Sequence, residues 1–250
     1  MTTPVSIAGV GGVLLDIEGT TTPIAFVHDV LFSYAKTHVA DYLAKHSHTE
    51  DVRKDIQLLR QEHGVDEREG KQPPLLAETG SPNEIESITN YVHWLVGLDR
   101  KSTGLKSLQG KIWREGYSEG SLRSQVYPDV APVLARWRNA GLNVSIFSSG
   151  SVLAQQLLFA HTEAGDLTPF INNYFDTSTG PKADAQSYRR IAEKLNLKPG
   201  EVLFISDVVS ELAAAREAGM KTVLSIRPGN QPQDFADEYP LIHSFNELAP

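Results

Sequence analysis

The sequence LLDIEGTTTP, from Leu14 to Pro23, ends an apolar run on two acids that are one residue apart. In a strand, residues i and i+2 share a face, so Asp16 and Glu18 would point into one space if the strand continued. Two like charges that close repel each other, and a nearby cation relieves the repulsion. The stretch therefore predicts either a cation site at the end of a buried strand or an ordinary strand end followed by a threonine-rich turn.

The composition is that of an ordinary globular protein. The 250 residues include 31 acidic and 23 basic side chains, for a net charge of -8, and the basic ones form no run. We therefore expect neither nucleic acid nor membrane as a partner. The chain has no Cys, which excludes disulfides, thiolate catalysis and thiolate-bound zinc and fits the cytoplasm. The sequence shows neither a secretory signal nor an apolar stretch long enough to span a membrane.

The order of apolar runs and amphipathic segments predicts an α/β fold, a doubly wound parallel sheet core with an inserted helical cap domain. Short apolar runs next to Gly or Pro predict strands at residues 12–15, 142–147, 202–206 and 222–226. Helical patterns follow or separate these runs at residues 152–160, 183–195 and 210–219.

No strand is predicted between Thr20 and about Gln125, where the pattern is helical. The helical spacing recurs in four segments, at residues 25–46, 50–64, 83–99 and 105–117. A connection of this length is not a bare loop in a compact domain. We therefore predict an α/β core of residues 1–21 and 126–250, and a helical cap of residues 22–125.

Polar side chains follow the predicted strands at their carboxyl ends, where parallel sheets bind ligands. Ser148 and Ser149 end one strand, and Asp207 ends a later one with Glu211 four residues on. Carboxylate oxygens are preferred ligands of a hard dication such as Mg²⁺. Lys182, just before a helix, would supply the missing positive charge.

These residue types suit phosphoryl transfer through a covalent intermediate. Asp16, the first residue beyond its strand, is the predicted nucleophile. Glu18 is predicted to protonate the leaving oxygen and then to deprotonate the attacking water. Ser148, with the backbone amides of Ser149 and Gly150 at a helix start, is predicted to bind phosphate oxygens.

Together the motifs resemble those of the haloacid dehalogenase superfamily of phosphatases. DIEGT is similar to its Asp-x-Asp-Gly-Thr signature, and the serine, the lysine and SDVVSE resemble its remaining motifs in the right order. More closely, LLDIEGTTTPIAFVHDVLF, FSSGSVLAQQLLF and RPGN resemble the enolase-phosphatases of methionine salvage. This resemblance covers nearly the whole chain.

The resemblance implies an enzyme that enolises 2,3-diketo-5-methylthiopentyl-1-phosphate and then removes its phosphate to leave the acireductone, with one magnesium ion per chain. The second acid would give its backbone carbonyl to the metal, and the helical domain would close over the substrate. The resemblance implies these site residues: Asp16, Glu18 and Asp207 at the metal, Ser148 and Ser149 at the substrate, and Lys182 at both the substrate and the reacting group.

Two positions depart from the superfamily's pattern. Glu18 stands where the acid is usually Asp, and its extra methylene adds about 1.5 Å of reach. We therefore predict that Glu18 also serves the enolisation. Glu211 replaces the usual second acid of the last motif, which leaves open whether it binds the metal or orients a metal-bound water.

Two other functions are compatible with the motifs. One is a general phosphatase for another small phosphoester without enolase activity, and the other is a catalytically idle module that binds magnesium or phosphate. A metal-free dehalogenase is disfavoured, because Glu18 and Asp207 would then hold no cation. We expect a monomer. Other residues of functional type are predicted to be solvated or structural: His28, His46, His48, His93 and Arg227.

Overall fold

The computed structural model describes residues 5–98, 100 and 102–249, which divide into two compact units. One unit joins the residues up to 27 with those from 123 onward, and the other spans residues 28–122. The boundaries predicted from the sequence lie at residues 22 and 125. The role of the second unit as a cap stays a prediction.

The first unit is built on parallel strands. In the described residues these are β1 Val5–Ser6, β2 Gly12–Leu15, β3 Asn143–Phe147, β4 Asn173–Phe175, β5 Val202–Ser206, β6 Lys221–Ser225, β7 Leu241–Ile242 and β8 Leu248–Ala249. Six of them form one parallel sheet in the order β4-β3-β2-β5-β6-β7, and β1 pairs with β8. The chain winds outward from β2 to β3 and β4, and then returns to the other side of β2 at β5. This order confirms the predicted doubly wound sheet.

The central strands are buried along their whole length. Every residue of β2 and of β5 is shielded from solvent. A parallel strand with both faces covered reads as a continuous apolar run rather than an alternating one. The sequences GVLL and VLFIS have this character, which is why both strands were recognisable from the sequence.

The second unit is helical. Its helices, within the described residues, are α1 Ser33–His46, α2 Glu50–Arg68, α3 Glu84–Gly97 and α4 Thr103–Glu119, and a π-helical segment, Phe26–Phe32, leads into α1. The first helix contacts α3 and α4, and the second also contacts α3 and α4. The predicted helical character of this part of the chain is confirmed.

A buried carboxylate connects three elements of the helical unit. The Asp66 side chain on α2 has no exposed surface and pairs with Arg100. Its other oxygen accepts a hydrogen bond of 2.7 Å from the Tyr91 hydroxyl on α3. Because a buried charge needs such partners, Asp66 fixes α2 against α3 and the segment before α4.

In the described part of the first unit, the sheet is flanked by α-helices. They are α5 Val130–Asn139, α6 Val152–Ala160, α7 Ala185–Leu195 and α8 Val209–Glu217. Helix α7 buries Tyr188 and Ile191 in the same core cluster as Phe204 of β5. Among the described helices, none is long and apolar enough to cross a bilayer.

Candidate active site

Two acids lie at the point where the strand order of the sheet reverses. Asp16 directly follows β2 and Asp207 directly follows β5, and these neighbouring strands pair Leu15 with Ile205. The Asp16 amide continues the pairing with a hydrogen bond of 3.0 Å to the Ile205 carbonyl. Ligands of doubly wound sheets bind in the crevice at this reversal. The structure therefore brings together two residues that are far apart in the sequence.

Lys182 joins the same group of charges. Its Nζ lies 2.7 Å from Asp16 Oδ1 and 2.6 Å from Glu211 Oε2. The Ser206 hydroxyl lies 3.1 Å from Asp16 Oδ2 and 3.0 Å from Glu211 Oε2. Glu211 therefore contacts the lysine and the serine, and Asp16 has a hydrogen-bond partner at each carboxylate oxygen.

The charges of this group are unbalanced. Burial by itself lowers the pKa of Lys182, but the carboxylates of Asp16 and Glu211 outweigh it and raise that pKa above its ordinary value. Burial, followed by the negative charge of Asp16, raises the pKa of Asp207 to about 7 and the pKa of Glu211 to about 7. Three acids around one lysine leave an excess of negative charge, which favours the binding of a cation.

The donor set fits a hydrated divalent cation. Across the described ranges, no group of three or more acidic or histidine side chains could by itself hold a metal ion. Asp16 and Asp207 supply carboxylate oxygens, and Mg²⁺ is often held by one or two carboxylates while it keeps several waters. The backbone carbonyl of Glu18, as the resemblance implies, is a further oxygen of the right kind.

Glu18 lies in a tight turn at the same edge. Its side chain is half-buried, and its charge contributes to the raised pKa of Asp207 after burial and Asp16. The turn is held by the Ile17 carbonyl, which accepts hydrogen bonds from the amides of the three threonines that follow Gly19. Those threonines are fully buried, so they shape the turn.

Ser148 and Ser149 follow β3, which pairs with β2 on the side away from β5. The Ser148 side chain is buried and Ser149 is half-buried. The Gly150 amide, which the sequence predicted as a phosphate donor, donates to Ser148 Oγ at 3.1 Å. Lys182 Nζ lies 5.9 Å from the ring centre of Phe147, which places the lysine near this end of β3.

Three polar residues were missed by the sequence analysis. Ser206 lies inside the SDVVSE motif and contacts two of the site carboxylates. Asn230 donates to the Gly19 carbonyl at 2.9 Å. Gln155, only 1% exposed, donates to the carbonyls of Gly150 and Phe175, each at 2.8 Å. A polar residue on the inward face of an apolar helix is a signal that could have revealed Gln155.

The remaining residues of functional type have other partners. His46 Nε2 lies 2.8 Å from Glu115 Oε2 in the helical unit, and His93 donates to the Lys36 carbonyl at 2.9 Å. Arg227 is buried and pairs with Asp129, as a structural residue does. Its guanidinium donates to Asp129 Oδ1 at 3.0 Å, to the Thr20 carbonyl at 3.2 Å and to the His243 carbonyl at 2.9 Å.

The parallel sheet and the lysine-paired carboxylate at its carboxyl edge define an α/β protein with a candidate active site at the switch point of its sheet. The chain belongs to the haloacid dehalogenase-like hydrolases, since the model of that family matches residues 10–219. This membership confirms the superfamily that the motifs indicated. It also implies a divalent metal ion at the site.

Several similar proteins are named enolase-phosphatase E1. The chain is 51% identical to an enolase-phosphatase E1 of Synechococcus elongatus, over 99% of this chain and 100% of the relative. It is 43% identical to an Arabidopsis thaliana protein named "Probable bifunctional methylthioribulose-1-phosphate dehydratase/enolase-phosphatase E1", over 94% of this chain and 47% of that longer protein. The crystal structure of the UTR4 protein of Saccharomyces cerevisiae superposes with a TM-score of 0.76 at 34% identity, covering 94% of this chain and 98% of the other.

Proposed function

We infer that the chain is a bifunctional enolase-phosphatase of methionine salvage. The observation that carries this conclusion is the buried pair of Asp16 and Lys182 at the switch point of the sheet, in a chain that is 51% identical to an enolase-phosphatase E1 over its full length. A carboxylate beside a fixed cation is what nucleophilic attack on a phosphate ester requires.

We propose Asp16 as the nucleophile. Its oxygen attacks phosphorus, a phospho-aspartate forms, and the bond to the leaving oxygen breaks. Glu18 gives its proton to that oxygen and then removes a proton from the water that hydrolyses the phospho-aspartate. Lys182 neutralises negative charge on Asp16 and on the transferred group.

We propose that Ser148, Ser149 and Lys182 bind the phosphate. Ser148 is buried next to β2, and Lys182 lies against the end of β3. Helix α6 begins directly after this loop, so its dipole favours an anion there.

We propose Mg²⁺ as the divalent cation, one per chain, held by the carboxylates of Asp16 and Asp207 and by the carbonyl of Glu18. Such an ion, when bound, neutralises phosphate charge and polarises a carbonyl oxygen as a Lewis acid. Glu211 faces Lys182 and Ser206, and we propose that it positions the lysine.

We propose 2,3-diketo-5-methylthiopentyl-1-phosphate as the substrate. The Arabidopsis relative is named for a methylthioribulose-1-phosphate dehydratase joined to an enolase-phosphatase E1. Loss of water from methylthioribulose-1-phosphate gives a phosphorylated diketone of this composition. Glu18, the longer acid at the switch point, is then the candidate for the proton transfer that converts the diketone to its enol.

The deciding experiment follows the absorbance of the enol and the release of phosphate together, from the diketone phosphate, with and without Mg²⁺. We expect both signals with Mg²⁺, no release of phosphate after the enol step with Asp16→Asn, and slow enolisation with Glu18→Gln. Glu163→Gln, an exposed acid of the same type, is the control.

Each alternative has its own outcome in this assay. Phosphate release without an enol intermediate would indicate a general phosphatase, and the absence of both signals would indicate an idle binding module. A Glu18→Gln variant that enolises at the wild-type rate would remove Glu18 from the enolisation. We also propose that the enzyme acts in the cytoplasm, since a chain without Cys suits a reducing compartment. We propose that it is a monomer, and light scattering tests this oligomeric state.

A further inference from the structure

Asn230 connects the turn after β2 to the end of β6. Its amide nitrogen donates to the Gly19 carbonyl at 2.9 Å and to the Ser225 carbonyl at 3.2 Å. Both protons of the amide group are used by these carbonyl acceptors, which fixes the orientation of the side chain: the opposite orientation would set an oxygen against two carbonyl oxygens.

The amide oxygen of Asn230 lies on the same side of Gly19 as the Asp207 carboxylate. A Cβ built on Gly19 would lie 2.3 Å from Asp207 Oδ2 and 2.9 Å from Asn230 Oδ1, so both oxygens crowd the same side of Gly19. Asn230 Oδ1 is buried and has no hydrogen-bond partner among the described residues. A buried acceptor is normally satisfied, so this one indicates a donor from outside the chain.

We propose that Asn230 is a positioning residue for the divalent cation, through an amide oxygen that accepts a hydrogen bond from the cation's hydration shell beside Asp207. Two acceptor oxygens on one side of a glycine, of which Asn230 Oδ1 has no donor among the described residues, fit a hydrated dication, whose waters are strong donors. The amide nitrogen meanwhile holds the Gly19 turn against Asp207. This inference rests on the cation site proposed above.

The test is Mg²⁺ binding measured by calorimetry on the full chain without substrate. We expect Asn230→Ala to weaken the affinity about tenfold, which corresponds to about 1.4 kcal/mol. Ser225→Ala is the matched control, because the Ser225 hydroxyl donates to the same Gly19 carbonyl at 3.4 Å but leaves the amide oxygen in place. We expect this control to bind Mg²⁺ within twofold of the wild type.

The Asn230→Asp variant tests the role of the amide oxygen separately from the role of the amide nitrogen. It keeps an acceptor beside Asp207 and loses both donors, so we expect it to bind Mg²⁺ more tightly than Asn230→Ala. A residue that only held the Gly19 turn would give the opposite order, since a carboxylate would repel the two carbonyls. Equal or weaker binding by Asn230→Asp overturns the proposal, as does wild-type affinity of Asn230→Ala.

Two further measurements keep the outcomes distinct. If circular dichroism shows that Asn230→Asp does not fold, the contrast between Asn230→Ala and Ser225→Ala decides. If the wild-type protein itself binds no Mg²⁺, or if Asp207→Asn binds as well as the wild type, the cation site fails rather than the role of Asn230.

Discussion

The single positive charge of Lys182 contacts two carboxylates, so the lysine affects both the stability of the site and its chemistry. The lysine side chain is 11% exposed and lies within 2.7 Å of both Asp16 and Glu211. Breaking a buried ion pair costs more than the pair contributes, because the remaining charge is left without a partner. The lysine therefore has a structural effect that can be separated from its catalytic one.

Replacing the lysine by methionine tests that separation. We expect Lys182→Met to lower the rate of phosphate release by about 10²–10³-fold and to lower the free energy of unfolding by about 3 kcal/mol without added cation. Lys182→Met/Glu211→Gln should recover part of the stability and none of the activity. Urea unfolding and a phosphate assay measure both quantities. A double variant no more stable than the single one would contradict the pairing of Lys182 with Glu211.

At the level of single residues, the sequence predicted the motif acids and the lysine but not their supports. Asp16, Lys182 and Asp207 were recognisable because they lie at the ends of predicted strands or before a predicted helix, on motifs that resemble those of the superfamily. Asn230 lies in a short turn, RPGN, whose Pro and Gly already explain the local conformation. The role proposed for Asn230 depends on its contact with Gly19, which is distant in the sequence and therefore absent from any local pattern.

Among the elements, α6 and the loop before it form one hydrogen-bonded unit. Gln155 on α6 donates to Gly150 in the loop and to Phe175 at the end of β4. The Phe175 carbonyl also accepts the Ser148 amide at 3.1 Å. One side chain thus fixes the proposed phosphate loop against the neighbouring strand.

A variant of this glutamine should weaken phosphate binding. We expect Gln155→Leu to raise the dissociation constant of inorganic phosphate about tenfold, because the hydrogen bonds from Gln155 to the Gly150 and Phe175 carbonyls are lost and the loop shifts. Its neighbour Gln156 is exposed, so Gln156→Leu is a matched control and should bind phosphate as the wild type does. Calorimetry with phosphate in the presence of Mg²⁺ is the measurement. Equal affinities for the two variants would mean that Gln155 only packs.

The elements that the sequence predicted well are those with long, regular patterns. The predicted bounds of β2, β5 and α6 agree with the structure, β3 begins one residue later than predicted, and β6 is shifted by one residue. The strands β4 and β7 were missed, because two or three residues are too few to show a period. They are strands only through pairing with β3 and β6, which a local pattern does not encode.

Across the whole α/β unit, Arg227 ties distant segments together. It bonds to the Thr20 carbonyl after β2, to Asp129 before α5 and to the His243 carbonyl after β7. The guanidinium also lies over the rings of Tyr127 and Phe245. Its planar geometry makes all of these contacts at once, which a lysine would not do.

We expect Arg227→Met to lower the free energy of unfolding by about 3–5 kcal/mol, since Asp129 would be left buried without its cation. Arg123→Met, at an exposed position, should change it by less than about 0.5 kcal/mol. Chemical denaturation of both variants measures the difference. Similar stabilities would show that Asp129 is satisfied by its other partners alone.

The helical unit has its own response to acid. Burial by itself raises the pKa of Asp66, but the hydrogen bonds from Arg100 and Tyr91 outweigh it, so the pKa lies below the ordinary value. A lowered pKa contributes stability above the pKa of the unfolded chain, and that stability is lost as the pH falls through the pKa of the folded state.

We therefore expect the helical unit to lose stability as the pH falls below about 4. We expect Asp66→Asn to be less stable than the wild type at neutral pH and to lose less stability on acidification. Fluorescence of Trp94 and Trp113, both in this unit, reports its unfolding during a pH titration. Asp41→Asn, at an exposed position, is the control. An Asp66→Asn variant with the wild-type acid response would contradict the assignment.

The position of β2 at the centre of the sheet has a consequence for synthesis on the ribosome. Neither side of Gly12 can pair before Asn143 has been synthesised, and the second side pairs only after Val202. At cellular translation speeds this delay is on the order of ten seconds. The contacts among α1 to α4 are complete once residue 122 has emerged, so the nascent chain carries an exposed, apolar β2 while the helical unit assembles. We therefore expect β2 to be the segment of the nascent chain that a chaperone binds.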